Sequence, residues 1–291
     1  RSSDLFNFLT DANFTDTAIK NLGNVGTDCD LVNLIASSNT QDYYTNLIIE
    51  TNNNITLDFA SNLTLDSSTL TLNNNKDWII LDYNPQLTLQ STTITANLDW
   101  SLANFTIDSG SSLSANIRGC PQSQSPSGGS CTSQDAGANY GEGQDGVGGN
   151  PAGGGGYGGR GGAGDTGRAG GFTYDSPLEP TLFGSGGGYC GDPICSGDSQ
   201  GGGSIKLFVT DTFNQSGTIT ANGGVGTIRP GYAYASGGGS GGSIFVNTSS
   251  LTGDGSFSAD GGAGGDSSST EAGGGSGGRI AINYNTKTST D

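Results

Sequence analysis

Leu63-Thr-Leu-Asp-Ser-Ser-Thr-Leu-Thr-Leu-Asn is the stretch that decides the fold, because the chain repeats it. It aligns with Leu87-Thr-Leu-Gln-Ser-Thr-Thr-Ile-Thr-Ala-Asn and with Phe105-Thr-Ile-Asp-Ser-Gly-Ser-Ser-Leu-Ser-Ala-Asn. Each copy alternates apolar with small polar residues, the pattern of short strands that bury one face. A repeated unit of about 20 residues with short strands and polar corners is typical of a β-solenoid, whose units bury their apolar faces only by stacking.

The sequence therefore predicts an all-β protein, namely a right-handed parallel β-helix (β-solenoid) over residues 51–291. A β-sandwich also spaces its strands regularly, but it does not require that the strands resemble one another. The self-similarity of the repeats favours the β-helix.

Glycine divides the chain into two parts, since only Gly23, Gly26 and Gly110 of the 54 glycines precede residue 119. In the second part, triple glycines begin at Gly201, Gly237 and Gly273, 36 residues apart each time, and a strand pattern follows each of them. Between these strands, short stretches rich in small polar residues resemble the early repeat. We expect one continuous domain whose later units carry glycine-rich loops.

Residues 119–200 form a glycine-rich insertion with two open interpretations. One is a long flexible loop. The other is a set of extended left-handed polyglycine strands packed side by side, because a chain without Cβ atoms allows close backbone approach. Residues 1–50 are predicted to be a separate N-terminal cap or assembly segment, since a solenoid whose first edge is open would recruit another chain.

The glycine-rich half resembles a known kind of repeat. Gly217-Thr-Ile-Thr-Ala-Asn-Gly-Gly-Val-Gly, the two later triple-glycine stretches and Phe172-Thr-Tyr-Asp-Ser-Pro-Leu-Glu-Pro-Thr-Leu-Phe are similar to the glycine-rich, pectin-lyase-like repeats of large extracellular surface proteins in protists, plants and bacteria. The resemblance covers about residues 105–285. It implies a parallel β-helix in a cell-surface or matrix protein, and it brings no catalytic residue with it.

Charge and composition exclude several classes of function. The chain carries 10 Lys and Arg against 27 Asp and Glu, for a net charge of -17, so we expect no nucleic-acid partner. The absence of His excludes His-dependent triads and His-ligated metals. No apolar run is long enough for a transmembrane helix. A chain that starts at Arg1 fits a secreted protein whose signal peptide has been removed.

Five cysteines in a secreted chain are expected to pair mostly with one another. The simplest of several pairings joins Cys120 to Cys131 and Cys190 to Cys195, and it leaves Cys29 for an intermolecular bridge or a buried thiol. Their spacings do not match a zinc knuckle.

Asn-x-Ser/Thr sequons are the candidate N-glycosylation sites, although their number is close to chance. They occur at Asn13, Asn54, Asn62, Asn104, Asn214 and Asn247. Asn62 and Asn104 directly precede predicted strands, so they are the first candidates.

Catalytic and metal sites are not expected. Asp58, Asp66, Asp82 and Asp108 recur near strand ends and could line one face, as a glycan-cleaving enzyme would need, but turn-flanking carboxylates are the simpler interpretation. The segment Tyr140-Gly-Glu-Gly-Gln-Asp resembles part of a calcium-binding nonapeptide, yet it occurs once and that motif works in stacked copies. We therefore predict no enzyme and no cofactor.

Three functional hypotheses remain. The first is a structural, self-assembling subunit of a surface fibre, flagellar hair or matrix, with itself or sister surface proteins as partners and residues 1–50 in a head-to-tail contact. The second is an adhesin or carbohydrate-binding module that binds glycans through the insertion, and the third is a polysaccharide lyase or hydrolase. Thr-x-Thr ladders beginning at Thr69, Thr93 and Thr218 could also present hydroxyls to ice or a crystalline glycan.

Overall fold

The structure, a computed structural model, describes residues 14–15, 18–22, 32–36, 42–46, 48–51, 55–59, 62–73, 78–127, 130–132, 141–147, 150–165, 167–191, 195, 199–228, 232, 234–267 and 270–288. These residues form strands, turns and extended segments without an α-helix, and the strands of the two main sheets are parallel. The predicted all-β class with parallel strands is confirmed.

The larger sheet contains one strand from each successive layer of the molecule. Its order is β1 (Phe14–Thr15), β4 (Asp42–Thr45), β7 (Leu63–Asp66), β9 (Trp78–Gln90), β11 (Asn97–Ile107), β15 (Ser204–Gln215), β17 (Ser243–Thr252) and β21 (Arg279–Thr288). Two further strands, β3 (Val32–Ala36) and β6 (Ile55–Phe59), join this sheet through β9.

The second sheet is built from the short strands that follow. Its order is β2 (Ala18–Leu22), β5 (Ile48–Thr51), β8 (Thr69–Leu72), β10 (Thr93–Thr95), β12 (Ser112–Ser114), β16 (Thr218–Thr220) and β18 (Ser256–Ser258). Two small antiparallel pairs, β13 (Ser125–Ser127) with β14 (Ser130–Thr132) and β19 (Asp266–Ser267) with β20 (Thr270–Glu271), lie outside the main sheets. Because β1, β2, β4 and β5 belong to the main sheets, residue 50 marks no change of sheet.

The repeats of the sequence are in register in space. Leu63 pairs with Leu87, and Leu87 pairs with Phe105 in the next layer. The buried apolar residues of both sheets belong to one cluster, and the strand register places equivalent residues such as Leu70 and Ile94 side by side. This stacking is why the sequence repeats itself: each layer supplies the apolar surface that covers the layer before it.

The corners that follow three strands of the larger sheet have a left-handed backbone. Asn46, Ser67 and Ser91 have φ of 52°, 50° and 46°, and they follow β4, β7 and β9. Asn46 N–H donates to the carbonyl of Asp66 at 3.0 Å, and Ser67 N–H donates to the carbonyl of Gln90 at 2.8 Å. Short polar residues tolerate this conformation, so the turns stack together with the strands.

The glycine-rich stretches form extended segments that pack beside the sheets, and we call them the glycine bundle. It comprises residues 141–147, 150–158, 184–189, 199–203, 221–227, 235–242, 259–265 and 272–278. The segment 235–242 illustrates the hydrogen bonding, because every third N–H group along it donates to the same neighbouring segment. Ser236, Gly239 and Gly242 donate to 221–227, Gly237 and Ser240 to 185–188, and Gly238 and Gly241 to 273–276.

A period of three without hydrogen bonds inside the segment is the geometry of a polyproline II helix. The carbonyls of 235–242 accept from segments around 152–155, 202 and 262–265, so six segments surround this one. The described part of residues 119–200 follows the second sequence interpretation, packed polyglycine strands, because its amides and carbonyls are bonded in the same way.

Candidate functional site

The carboxylates that a glycan-cleaving enzyme would use have structural partners where they are described. Asp108 accepts hydrogen bonds from Ser91 N–H at 3.1 Å, Gly110 N–H at 3.1 Å and Ser111 Oγ at 2.5 Å. Asp66 Oδ1 accepts from Ser67 Oγ at 2.9 Å. Both therefore stabilise turns. Asp58 and Asp82 lie in β6 and β9, and their side chains lie outside the described part of the structure.

The calcium-like segment is also engaged internally. Asp145 accepts from Ser123 Oγ at 2.5 Å and from Tyr189 N–H at 2.7 Å, so it ties two segments of the glycine bundle to the turn at Ser123. Tyr140 lies outside the described residues. Within the described ranges, no group of three or more Cys, Asp or Glu could hold a metal ion.

Two disulfides lie at the glycine-rich insertion. They join Cys120 to Cys131 and Cys190 to Cys195, the pairing that the sequence favoured, with Cα atoms 5.3 and 6.2 Å apart. Cys120, Cys190 and Cys195 are fully buried. Cys29 lies outside the described residues, so its predicted intermolecular role stays a prediction.

The sequons differ in how accessible their asparagines are. Asn62 and Asn247 are exposed, whereas Asn104 and Asn214 are partly buried. Asn104 Oδ1 accepts the N–H of Thr212 at 3.3 Å, which occupies one side of its carboxamide. Asn13 and Asn54 lie outside the described residues. Accessibility therefore favours Asn62 and Asn247 as modification sites, in place of the sequence preference for Asn62 and Asn104.

The hydroxyl ladders are continuous in space even though their spacing in the sequence is uneven. Thr69, Thr93, Ser112, Thr218 and Ser256 stack in register across the second sheet. A second row, two residues further along each strand, consists of Thr71, Thr95, Ser114, Thr220 and Ser258. Insertions between the strands change the sequence spacing without changing the layer spacing of about 4.8 Å.

A groove of about 640 Å³ crosses the middle of β15, β17 and β21. Its lining combines aromatic and polar side chains, including Phe208, Asn247, Asn283 and Tyr284. Aromatic faces beside amide groups suit a sugar ring, because such a ring has one apolar side and a polar rim. The sequence did not indicate this groove, since its walls come from three distant strands.

Two tyrosines, the buried Tyr157 and the partly buried Tyr174, join the glycine bundle to the last strand. Tyr157 donates to Asp175 Oδ2 at 2.5 Å, and Tyr174 donates to the carbonyl of Phe183 at 2.6 Å. Burial raises the pKa of both phenols above the ordinary value, and the hydrogen bond to Asp175 raises the pKa of Tyr157 further. Arg279, the first residue of β21, donates from Nε to the carbonyl of Tyr174 at 3.1 Å.

In the last layer that the structure describes, apolar side chains that continue the buried core are partly exposed. We call β18, β21 and the glycine segments 259–265 and 272–278 together the terminal face. In β17, Ile244 and Thr248 are buried, but their register partners in β21, Ile280 and Tyr284, are 42% and 47% exposed. β21 pairs with β17, and β18 pairs with β16, so each strand forms the edge of its sheet.

Comparison of the chain with protein-family models, with curated proteins and with solved structures gave no match. Among the described residues, no helix is long and apolar enough to cross a membrane. The arguments for function therefore rest on the geometry of the chain itself.

Proposed function

We propose that this chain is a non-enzymatic extracellular structural protein, a self-associating subunit of a surface fibre, flagellar hair or matrix. Its two parallel sheets and the alternation of the chain between them support a right-handed parallel β-helix, the architecture of the pectin-lyase-like repeats that its glycine-rich half resembles. An open end of such a stack can be extended by another chain.

The observation that carries this proposal is the unfinished core of the terminal face. Ile280 and Tyr284 continue columns that are buried one layer earlier, and Ile282 packs only partly against the core. Fully burying one such side chain contributes about 1.5 to 3 kcal/mol, so a further layer on this face would stabilise the contact. Edge strand β21 would supply backbone hydrogen bonds to the same partner.

An extracellular location fits the two disulfides, because disulfides persist in oxidising compartments. Exposed sequons at Asn62 and Asn247 would then be open to glycosylation. The hydrogen-bonded roles of Asp66, Asp108 and Asp145 support a structural use of the carboxylates over a catalytic or calcium-binding one. A polysaccharide lyase or hydrolase is therefore the weakest of the three hypotheses.

The N-terminal segment is the proposed second contact of the assembly. Residues 1–50 and Cys29 would join the protein to another copy or to a sister surface protein, as the sequence suggests. Deleting residues 1–25 should leave a folded protein that no longer forms fibres in negative-stain electron microscopy. Fibres of normal length from the deletion variant would contradict the proposal, and fibres that dissolve on reduction would assign Cys29 to the contact.

A glycan-binding adhesin is the second candidate, and the groove across β15, β17 and β21 favours it. The insertion is a poorer binding surface than the sequence suggested, because its described backbone groups are largely used within the glycine bundle. Replacing Asn247 and Asn283 with alanine removes two groove amides. If the unaltered protein bound a glycan on an array and the variant did not, the adhesin hypothesis would be supported. If the unaltered protein bound no glycan on the array, the adhesin hypothesis would be rejected.

A further inference from the structure

The groove across β15, β17 and β21 contains a complete glycosylation sequon. Asn247, Thr248 and Ser249 are consecutive residues of β17, and all three line the groove. Asn247 and Ser249 are exposed, whereas Thr248 is buried. The other sequon asparagines that the structure describes do not line the groove. A glycan attached to Asn247 would therefore start within the groove and not beside it.

Asn247 lies on the outer face of the larger sheet, next to an aromatic ring. Side chains alternate along a strand, and Val246 belongs to the buried core cluster, so Asn247 lies on the opposite side. Its register partner in β15 is Phe208, and adjacent strands place such partners about 4.8 Å apart. The ring of Phe208 thus lies beside the attachment point.

The Phe208 ring is held from one side and open on another. It packs edge-on against Phe245 with ring centroids 5.5 Å apart, and Lys206 Nζ lies 5.0 Å from its centroid. Lys206 and Phe245 pair with each other in the preceding row of the sheet, so both contacts reach the ring from the same side. Phe208 also lines the groove, where its side chain is partly exposed. A fixed aromatic face of this kind suits the C–H side of a sugar ring.

Polar side chains flank the attachment point on its other side. Asn283 in β21 is the other register partner of Asn247, and Asn285 follows two residues later on the same strand face. Carboxamides both donate and accept, so they can bond to sugar hydroxyls and to an N-acetyl group. The groove volume of about 640 Å³ lies in the range of small-molecule sites, about 300 to 1,000 Å³. The groove is therefore large enough for the first sugars of a glycan.

We propose that the groove binds the protein's own N-linked glycan, which is attached at Asn247 and packs its first N-acetylglucosamine against Phe208. The inference rests on the proposed extracellular location and names the occupant of the groove. Because the attachment point belongs to the lining, the tethered sugar reaches an effective concentration in the millimolar range, and contacts too weak to hold a free sugar are populated. A further layer beyond β21 would not displace the glycan, since Asn247 and Phe208 lie on the side of the stack. A groove filled in this way is closed to other glycans, which opposes the adhesin candidate.

The modification is a group transfer from a lipid-linked oligosaccharide pyrophosphate, the donor of the eukaryotic secretory pathway. A bond forms between Nδ2 of Asn247 and the anomeric carbon of the first sugar, and the bond from that carbon to the pyrophosphate oxygen breaks. The lipid pyrophosphate leaves, and the amide nitrogen gives one proton to a base of the transferase. Because β17 lies between β15 and β21 in the folded sheet, the transferase acts on the chain before it folds.

The experiment uses the full chain secreted from a eukaryotic host. Glycopeptide mass spectrometry measures the occupancy of Asn247, and treatment with a peptide-N-glycosidase measures how accessible each glycan is. We expect Asn247 to be occupied and its glycan to be released at least tenfold more slowly from the native than from the denatured protein. Asn62 is the matched control, because it is exposed but lies outside the groove, and its glycan should be released without that delay.

Two variants test the contact itself. Phe208→Leu keeps an apolar side chain against Phe245 but removes the aromatic face, and Asn283→Ala removes a carboxamide from an exposed position. Both variants should keep the occupancy of Asn247 and accelerate release from the native protein at least fivefold. In NMR spectra, the ring current of Phe208 should shift the N-acetyl methyl signal of the first sugar, and Phe208→Leu should remove that shift.

Three results would overturn the inference. They are a secreted chain without a glycan at Asn247, an Asn247 glycan that is released from the native protein as quickly as the Asn62 glycan, and unchanged release from the Phe208→Leu protein. All three leave the structural role standing, because fibre formation is scored separately by negative-stain electron microscopy. A glycan protected in the groove of a chain that forms no fibres would instead keep the inference and remove the proposed self-assembly.

Discussion

At the scale of single residues, glycine in this protein acts through the absence of a Cβ atom. Positive φ accounts for few of the glycines described, among them Gly167, Gly191 and Gly253. For most of the others, the reason is close backbone packing: a Cβ at Gly153 would lie 2.0 Å from the carbonyl oxygen of Ala169. The high glycine content is thus a packing requirement of the bundle.

Gly238→Ala should destabilise the protein by about 3 kcal/mol or more, because the added methyl group meets a backbone oxygen that cannot move without displacing a neighbouring segment. Gly274→Ala is the matched control and should change the free energy of unfolding by less than about 0.5 kcal/mol. Urea denaturation of both variants measures the difference. Equal stabilities would contradict the packing argument.

Tyr157 and Tyr174 make stability depend on pH in the alkaline range. The raised pKa of Tyr157 and Tyr174 keeps both phenols protonated in the folded protein above pH 10, where the unfolded chain loses those protons. Stability should therefore be insensitive to these groups below about pH 10 and fall above it, by about 1.4 kcal/mol per pH unit for each tyrosine. Tyr174→Phe should reduce the slope by about half, and an unchanged slope in alkaline urea titrations would argue against this origin.

At the scale of elements, the strands of the larger sheet are held by stacked aromatic and aliphatic columns. Trp100 in β11 packs edge-on against Phe105, with ring centroids 5.5 Å apart, and its Nε1–H donates to the carbonyl of Ile79 in β9 at 3.1 Å. Phe105 stacks in turn on Phe213 in β15 at 5.0 Å. Trp100 and Phe105 together thus link three consecutive strands of the sheet.

Trp100→Ala should cost about 3 to 5 kcal/mol, because it leaves a cavity in the middle of the stack and removes the hydrogen bond to the carbonyl of Ile79 in β9. Thr106→Ala in the same strand, on the partly exposed side, should cost less than about 0.5 kcal/mol. Chemical denaturation monitored by circular dichroism compares the two. If the Trp100→Ala protein were as stable as the Thr106→Ala control, the packing of Trp100 would not be a main source of core stability.

At the scale of the whole molecule, the two disulfides fix an insertion between adjacent layers. Leu98 in β11 pairs directly with Ile205 in β15, although the insertion 119–200 separates them in the sequence. The disulfides close loops of 11 and 5 residues within it. The insertion therefore leaves and rejoins the stack without interrupting it.

Replacing each disulfide with a pair of serines should lower stability by about 2 to 3 kcal/mol, since closing a short loop restricts the unfolded chain by about that amount. The native protein should also resist mild reductants, because three of the four bonded cysteines are fully buried. Thiol counting before and after unfolding, together with urea denaturation, tests both points. Rapid reduction of the folded protein would contradict the buried arrangement.

The sequence alone determined the all-β class and the register of the repeats, and among several possible cysteine pairings it favoured the one that the structure shows. Apolar and polar residues alternate from Leu63 to Leu72, and the same alternation begins again at Leu87 and at Phe105. This pattern determines which side chains stack, because only equivalent positions of the repeats can share one apolar column. Spacing in the sequence was enough for these features, since each depends on neighbours within one or two repeats.

The tertiary structure alone decided how the glycines pack, which sequons are accessible and where the apolar columns end. Gly238 and Gly274 stand in identical sequence contexts, yet one has no room for a methyl group and the other faces open space. The groove at Phe208 and Tyr284 likewise joins strands that are far apart in the sequence. The composition and the repeat period of a segment can be read from its own sequence. The free space around a residue and its unused hydrogen-bond donors depend instead on which other segments the folded chain packs beside it.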